Sequence, residues 1–153
     1  ICVAQNTFIK SHGNYLSAKT RLHSNSTVVY SPRTHAAFGH SEHPCRDLQA
    51  RGVRIALGTD SLASNPDLDI LAEARFLYAK RPDIPGQDLL RMATIHGAES
   101  LGFGDRTGSL TAGKSADLVV VPLPETDQAD PHKLLFSDSQ VEPRRTMWRG
   151  KWR

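Results

Sequence analysis

Asp60 ends a short apolar run. Residues 53 to 57, Val-Arg-Ile-Ala-Leu, break at Gly58 into Gly-Thr-Asp-Ser. A carboxylate in that place can bind a hard or borderline metal ion, or take a proton from a bound water. The plainer alternative is an N-cap for the following turn, a frequent use of Asp. His12 follows an earlier run, Asn6 to Ser11, in the same way. It can act as a metal ligand, as a general base, or as a histidine bonded to a neighbouring carbonyl. The pair Thr34-His35 follows a third run. Three reactive endings on one rim exceed what packing alone requires.

His35, His40 and His43 fall close together, and His40-x-x-His43 has a chelating spacing. The surrounding Gly-His-Ser-Glu-His-Pro reads as an exposed loop before a helix, so no separate metal site is expected there. His23, His96 and His132 have no local support for a role and are read as structural.

The elements that must position these groups alternate. Residues 6–16 read as a strand ending at Ser11-His12, and 17–26 as a short helix. A second, β-branched strand is read over 27–35, with Pro32 as its stop. Residues 43–52 form a helix with Pro44 near its start and Gly52 at its end, and 53–60 form the third strand. A long helix follows, with Asn65 as N-cap and Pro66 at the first position. Its apolar face is Ile70, Leu71, Ala74, Leu77 and Tyr78. Another helix spans about 86–101, with the face Leu90, Ala93, Thr94, Gly97 and Leu101. Strands alternating with helices imply a parallel sheet with its active residues at the strand carboxyl ends. Beyond Gly102 the pattern turns to β at 107–123 and 141–153, with a polar loop at about 124–140.

The 153 residues suffice for a globular core, with 39% hydrophobic and 23% charged residues. No apolar run reaches the roughly 20 residues of a membrane helix. The two cysteines, Cys2 and Cys45, make no disulfide framework, and a reducing, cytoplasmic setting is expected. The net charge of +3 belongs to the tail Arg-Arg-Thr-Met-Trp-Arg-Gly-Lys-Trp-Arg, and the body is net acidic. Basic charge and two tryptophans could bind nucleic acid. A terminal hairpin turning at Arg149-Gly150, tryptophans inward, is the preferred reading, and nucleic acid is disfavoured.

Five segments together carry a resemblance: "HGNYL", "SPRTHAAFGH", "GVRIALGTDSLASNPDLDILAE", "MATIHGAESLGF" and "GSLTAGKSADLVVV". They resemble the C-terminal half of amidohydrolase-superfamily enzymes, in the branch of cytosine and guanine deaminases and triazine chlorohydrolases. The resemblance implies an α/β fold. Residues 1–104 would be part of a TIM-like (β/α)8 barrel, about strands six to eight, and 105–153 would supply strands of a small β-sandwich. It also implies a divalent metal, Zn or Fe, and attack of metal-bound hydroxide on an amino- or halogen-substituted heterocycle. Asp60 matches the family's metal ligand and proton shuttle, and His12 its strand-six histidine, which holds metal, water or substrate. His35, Ser61, Ser64 and Asn65 lie where the family shapes its substrate pocket.

One departure is large. The family's His-x-His pair and its strand-five histidine have no counterpart in this sequence. The chain, which opens on Ile1, is therefore expected to be a fragment, inactive alone. Its expected partners are a missing N-terminal half or a second copy, with self-association or poor solubility as the consequence. The alternative is a non-catalytic assembly or binding module that retains the half-barrel.

Overall fold

The computed structural model describes residues 2–4, 7–17, 19–23, 25–127, 130–137 and 144–153. Four strands, β1 (Cys2–Ala4), β2 (Thr7–Ser11), β3 (Ser26–Tyr30) and β4 (Arg54–Leu57), form one sheet in that order. β1 pairs antiparallel with β2, while β2, β3 and β4 run parallel. The three parallel strands are those expected, and their carboxyl ends share one rim.

Two short helices, α1 (Pro32–Ala37) and α2 (Cys45–Ala50), connect β3 to β4. The β-branched run therefore stops at Tyr30, and the Pro-Arg-Thr-His segment belongs to a helix with Pro32 in its first turn. No helix forms over the described residues of 17–26. That segment is held by local turns, including Ser17 N–H donating to Thr20 Oγ1 at 2.9 Å. Hydroxyls bonding their own backbone compete with a helix.

The helix expected to start at Asn65 starts later. α3 (Ile70–Lys80) is capped by Asp69, whose Oδ1 accepts from Leu71 N–H at 2.9 Å and Ala72 N–H at 3.2 Å. Its expected face is correct. Ala74 and Leu77 are buried, and Ile70, Leu71 and Tyr78 pack against the core. The helix expected at 86–101 is two helices, α4 (Gly86–Ala93) and α5 (Ile95–Ser100). Thr94 divides them, at φ −132° and ψ −94°, and its hydroxyl donates to Leu90 O at 2.6 Å. The buried residues are Leu89, Met92, Ala98 and Ser100, while Leu90 and Leu101 are exposed, so the expected face was misplaced.

The core lies between the sheet and these helices. Val28 and Ile55 are cross-strand partners, as are Tyr30 and Leu57. These four pack with Leu48, Ala74, Leu77, Leu89 and Met92.

A second sheet joins β5 (Leu118–Val120), β6 (Arg145–Trp148) and β7 (Lys151–Trp152), all antiparallel. Arg149 (φ 49°) and Gly150 (φ 76°) make the expected hairpin turn. The tryptophans do not pack inward: Trp148 and Trp152 stay about half exposed. Arg149 lies over Trp148 at 5.1 Å and Arg145 over Trp152 at 4.4 Å, so cation–π contacts replace burial. The expected loop at 124–140 contains a helix, α6 (Pro131–Ser137). Phe136 buries against the core, beside Tyr78. No described helix is long and apolar enough to cross a membrane.

Candidate functional site

His12 and Asp60 follow β2 and β4, the outer two of the three parallel strands. Both adopt the left-handed backbone region, His12 at φ 64° and Asp60 at φ 61°. Non-glycine residues seldom do so. The turn after each strand swings both side chains to one place on the rim, where His12 Nε2 lies 3.9 Å from Asp60 Oδ2. The side chains are about a third exposed, 38% and 29%, so the pair can meet a ligand from solvent.

Glycine makes both turns possible. A Cβ on Gly13 (φ 68°) would stand 2.8 Å from Val28 Cγ1. On Gly58 it would stand 2.7 Å from Val29 Cγ1. Each site needs close approach to β3.

Other residues hold the pair. His12 N–H donates to Val29 O at 2.7 Å, so the β2–β3 ladder extends one residue past the strand. His43 is buried, stacked on Tyr30 with ring centroids 3.9 Å apart, and its Nε2 meets His12 O at 2.7 Å. Because a carbonyl only accepts, that nitrogen carries the proton. Burial pushes the His43 pKa down to about 4, against the raising effect of the bond to His12 O. On the other side, the Ser64 hydroxyl donates to Asp60 Oδ2 at 2.9 Å.

The remaining expected residues are dispersed. Ser61 is exposed, and its carbonyl accepts from Ser64 N–H and Asn65 N–H, both at 3.0 Å. Asn65 is buried and is not a helix cap. Its Nδ2 donates to Thr59 O at 2.7 Å and to Glu73 Oε1 at 2.5 Å. His35 is buried on α1, and its ring contacts among the described residues are with Tyr30, His40 and His43. It borders a pocket of about 390 Å³ with Phe76, Lys80 and Arg81. Burial lowers its pKa, with His40 adding to the effect.

Sequence reasoning overlooked Arg33 and Glu73, and weighed His43 only as a chelator. Glu73 left a signal: it falls within the apolar stripe of Ile70, Ala74 and Leu77, where a carboxylate needs a partner. Arg33 is that partner, with Nε 2.7 Å from Glu73 Oε1.

Chemically, an imidazole and a carboxylate 3.9 Å apart can exchange protons with a bound water or hold one cation between them. Ligand bonds of about 2.1 Å from each could meet at one ion. Among the described residues no group of three His, Cys, Asp or Glu is placed to hold a metal.

Comparison with known proteins places this geometry in context. The sequence model of the amidohydrolase family matches residues 1–153. A 5-methylthioadenosine/S-adenosylhomocysteine deaminase of Syntrophobacter fumaroxidans is 42% identical over 101 residues, 61% of this chain and 23% of that protein. Its counterpart in Moorella thermoacetica is 37% identical over 121 residues, 74% of this chain and 27% of that protein. Among solved structures, a zinc-bound adenosine deaminase from Xanthomonas campestris superposes with TM-score 0.78 and 30% identity, covering 94% of this chain and 36% of that one. An atrazine chlorohydrolase variant from Arthrobacter aurescens, complexed with zinc and atraton, has TM-score 0.77 at 22% identity, over 94% of this chain and 35% of that one. At that identity the likeness speaks for the fold alone. The chain spans about a quarter of the length of the curated relatives it matches.

Proposed function

The chain belongs to the amidohydrolase family, and from that premise we propose that it supplies Asp60 and His12 to the site of a deaminase acting on adenosine-type nucleosides. The observation that carries this reading is their convergence at 3.9 Å, on left-handed turns after two parallel strands. We assign residues 1–104 to part of a (β/α)8 barrel, about its sixth to eighth strands, and 105–153 to its small β-sandwich. The parallel strands β2, β3 and β4, the helices that follow β3 and β4, and the separate antiparallel sheet beyond Ser100 support that division.

The donor set fits half of a metal site. A neutral imidazole and a carboxylate are both proper ligands for zinc or iron, and a catalytic zinc takes about three protein ligands plus water. Two come from this chain, and the others would come from beyond these residues. When bound, the metal lowers the pKa of its water towards about 7.

The chain's own groups then have defined tasks. Asp60 accepts the proton of the attacking water through one carboxylate oxygen and delivers it to the departing amino group. Ser64 donates to Oδ2 and holds the carboxylate as its charge changes. His12 orients the water or the substrate. Ser61 on the same turn, and His35 on α1, would shape the pocket. The balanced result is replacement of an aromatic amino group by oxygen, with ammonia released. Relatives at 30% identity or more are named as deaminases, which favours C–N over C–halogen cleavage.

The test is ammonia release from 5-methylthioadenosine by the complete protein carrying this chain, supplied with Zn2+. Asp60→Asn should lower kcat by about 100-fold or more while the circular dichroism spectrum stays the same. Near-normal turnover in that variant would contradict the assignment. A complete protein that binds no metal and releases no ammonia would favour a non-catalytic binding module instead.

A further inference from the structure

A buried polar relay runs behind the Asp60 turn. Glu73 on α3 is 0% exposed, yet its carboxylate is fully engaged. Oε2 accepts from Arg33 N–H at 3.0 Å, and Oε1 accepts from Arg33 Nε at 2.7 Å and Asn65 Nδ2 at 2.5 Å. The other side of the guanidinium forks onto Asp67, with Nη1 3.1 Å from Oδ2. Asn65 spends both amide hydrogens, one on Glu73 and one on Thr59 O at 2.7 Å. Its own Oδ1 is buried with no partner among the described residues.

That allocation is informative. A buried unpartnered acceptor is costly, and flipping the amide would set oxygen against two acceptors. The side chain is therefore held by its donor end, and what that end holds is the carbonyl of the 59–60 peptide. The plane of this peptide sets the reference for rotation about the Asp60 N–Cα bond. Beyond Asp60, Ser61 O is fixed by Ser64 N–H and Asn65 N–H, both at 3.0 Å. Asp60 is thus pinned on both sides, in a backbone region it would otherwise leave.

We propose that Glu73, through Asn65, is the positioning device that keeps Asp60 in its left-handed conformation and so aims its carboxylate at His12. The proposal rests on the Asp60–His12 reading above, and it deepens that reading. Glu73 and Asn65 act as positioning residues. Arg33 orients Glu73 through its backbone N–H and its Nε. A merely structural tie between α1, α3 and the loop would stabilise the fold without governing Asp60.

The experiment uses the complete protein carrying this chain, comparing the parent with Asn65→Ala, Glu73→Gln and Asp69→Ala. Three quantities are read: the Asp60 HN–Hα coupling, the Zn2+ affinity by calorimetry, and the melting temperature. Asn65→Ala should move the Asp60 coupling away from its left-handed value and weaken Zn2+ binding by about 10-fold to 100-fold. Glu73→Gln should shift both the same way, and it serves if the first variant does not fold. Asp69→Ala removes a helix cap and should lower the melting temperature while leaving the coupling unchanged. An Asp60 coupling and Zn2+ affinity unaltered in Asn65→Ala and Glu73→Gln would overturn the proposal. A complete parent protein that takes up no Zn2+, with a coupling that still responds to Asn65→Ala, would sink the metal reading and leave the positioning intact.

Discussion

Acid should loosen this protein through His43. Its ring is 3% exposed, stacked on Tyr30, with Nε2 committed to His12 O and Nδ1 buried without a partner among the described residues. Protonating Nδ1 would place an unpaired cation in that pocket, beside His35 and Arg81, which both oppose it. The pKa falls from 6.5 to about 4. Unfolded chains therefore bind the proton first, and stability falls as the pH drops from 6.5 towards 4. Over that interval, at about 1.36 kcal/mol per pH unit, about 3 kcal/mol is lost by pH 4. Urea unfolding at several pH values, on the parent and His43→Gln, measures it. Glutamine can still donate to His12 O but does not titrate. The parent should lose about 3 kcal/mol more than the variant between pH 7 and pH 4. Parallel losses in the two proteins would refute the argument, because carboxylates and the remaining histidines are common to both.

Other perturbations probe the elements around the site. Arg33→Ala strands the buried Glu73 carboxylate and should cost about 3–5 kcal/mol in urea unfolding. Gly13→Ala meets both a φ of 68° and a contact of 2.8 Å to Val28. A loss of about 1–3 kcal/mol is expected, with a displaced His12 resonance. Leu77→Ala, at 1% exposure in the core, should cost about 2–5 kcal/mol by calorimetry without moving the His12 and Asp60 signals.

The rim of the site was legible because its cause is local. An apolar run that ends in Gly-Thr-Asp-Ser announces a strand, a tight turn and an exposed carboxylate within a few residues, and parallel pairing brings His12 beside it. The α3 face was legible for the same reason: Ala74 and Leu77 bury as their spacing demands. What escaped depends on partners distant in sequence. Asn65 has the residue type and the following proline of a helix cap, but Glu73 captures its amide and Asp69 takes the cap. Thr94 breaks a helix that periodicity alone would continue, because its hydroxyl reaches back to Leu90 O. The tryptophans of the terminal hairpin carry an inward pattern, yet Arg145 and Arg149 cover them from outside. The helix at Pro131–Ser137 was hidden in a polar segment, where Phe136 is buried and Leu135 packs against the core. His43 was visible only as a potential chelator, since its stacking on Tyr30 and its bond to His12 O span 13 and 31 positions.

The central claim is that Asp60 and His12 form one ligand-binding pair. Paramagnetic Co2+ added to the complete protein carrying this chain tests it directly, read residue by residue in two-dimensional NMR spectra. The account predicts that signals of His12 and Asp60 broaden first and together, and that Asp60→Asn abolishes the effect at both. Broadening centred on His35, His40 and His43, or broadening of His12 that persists in Asp60→Asn, would contradict it.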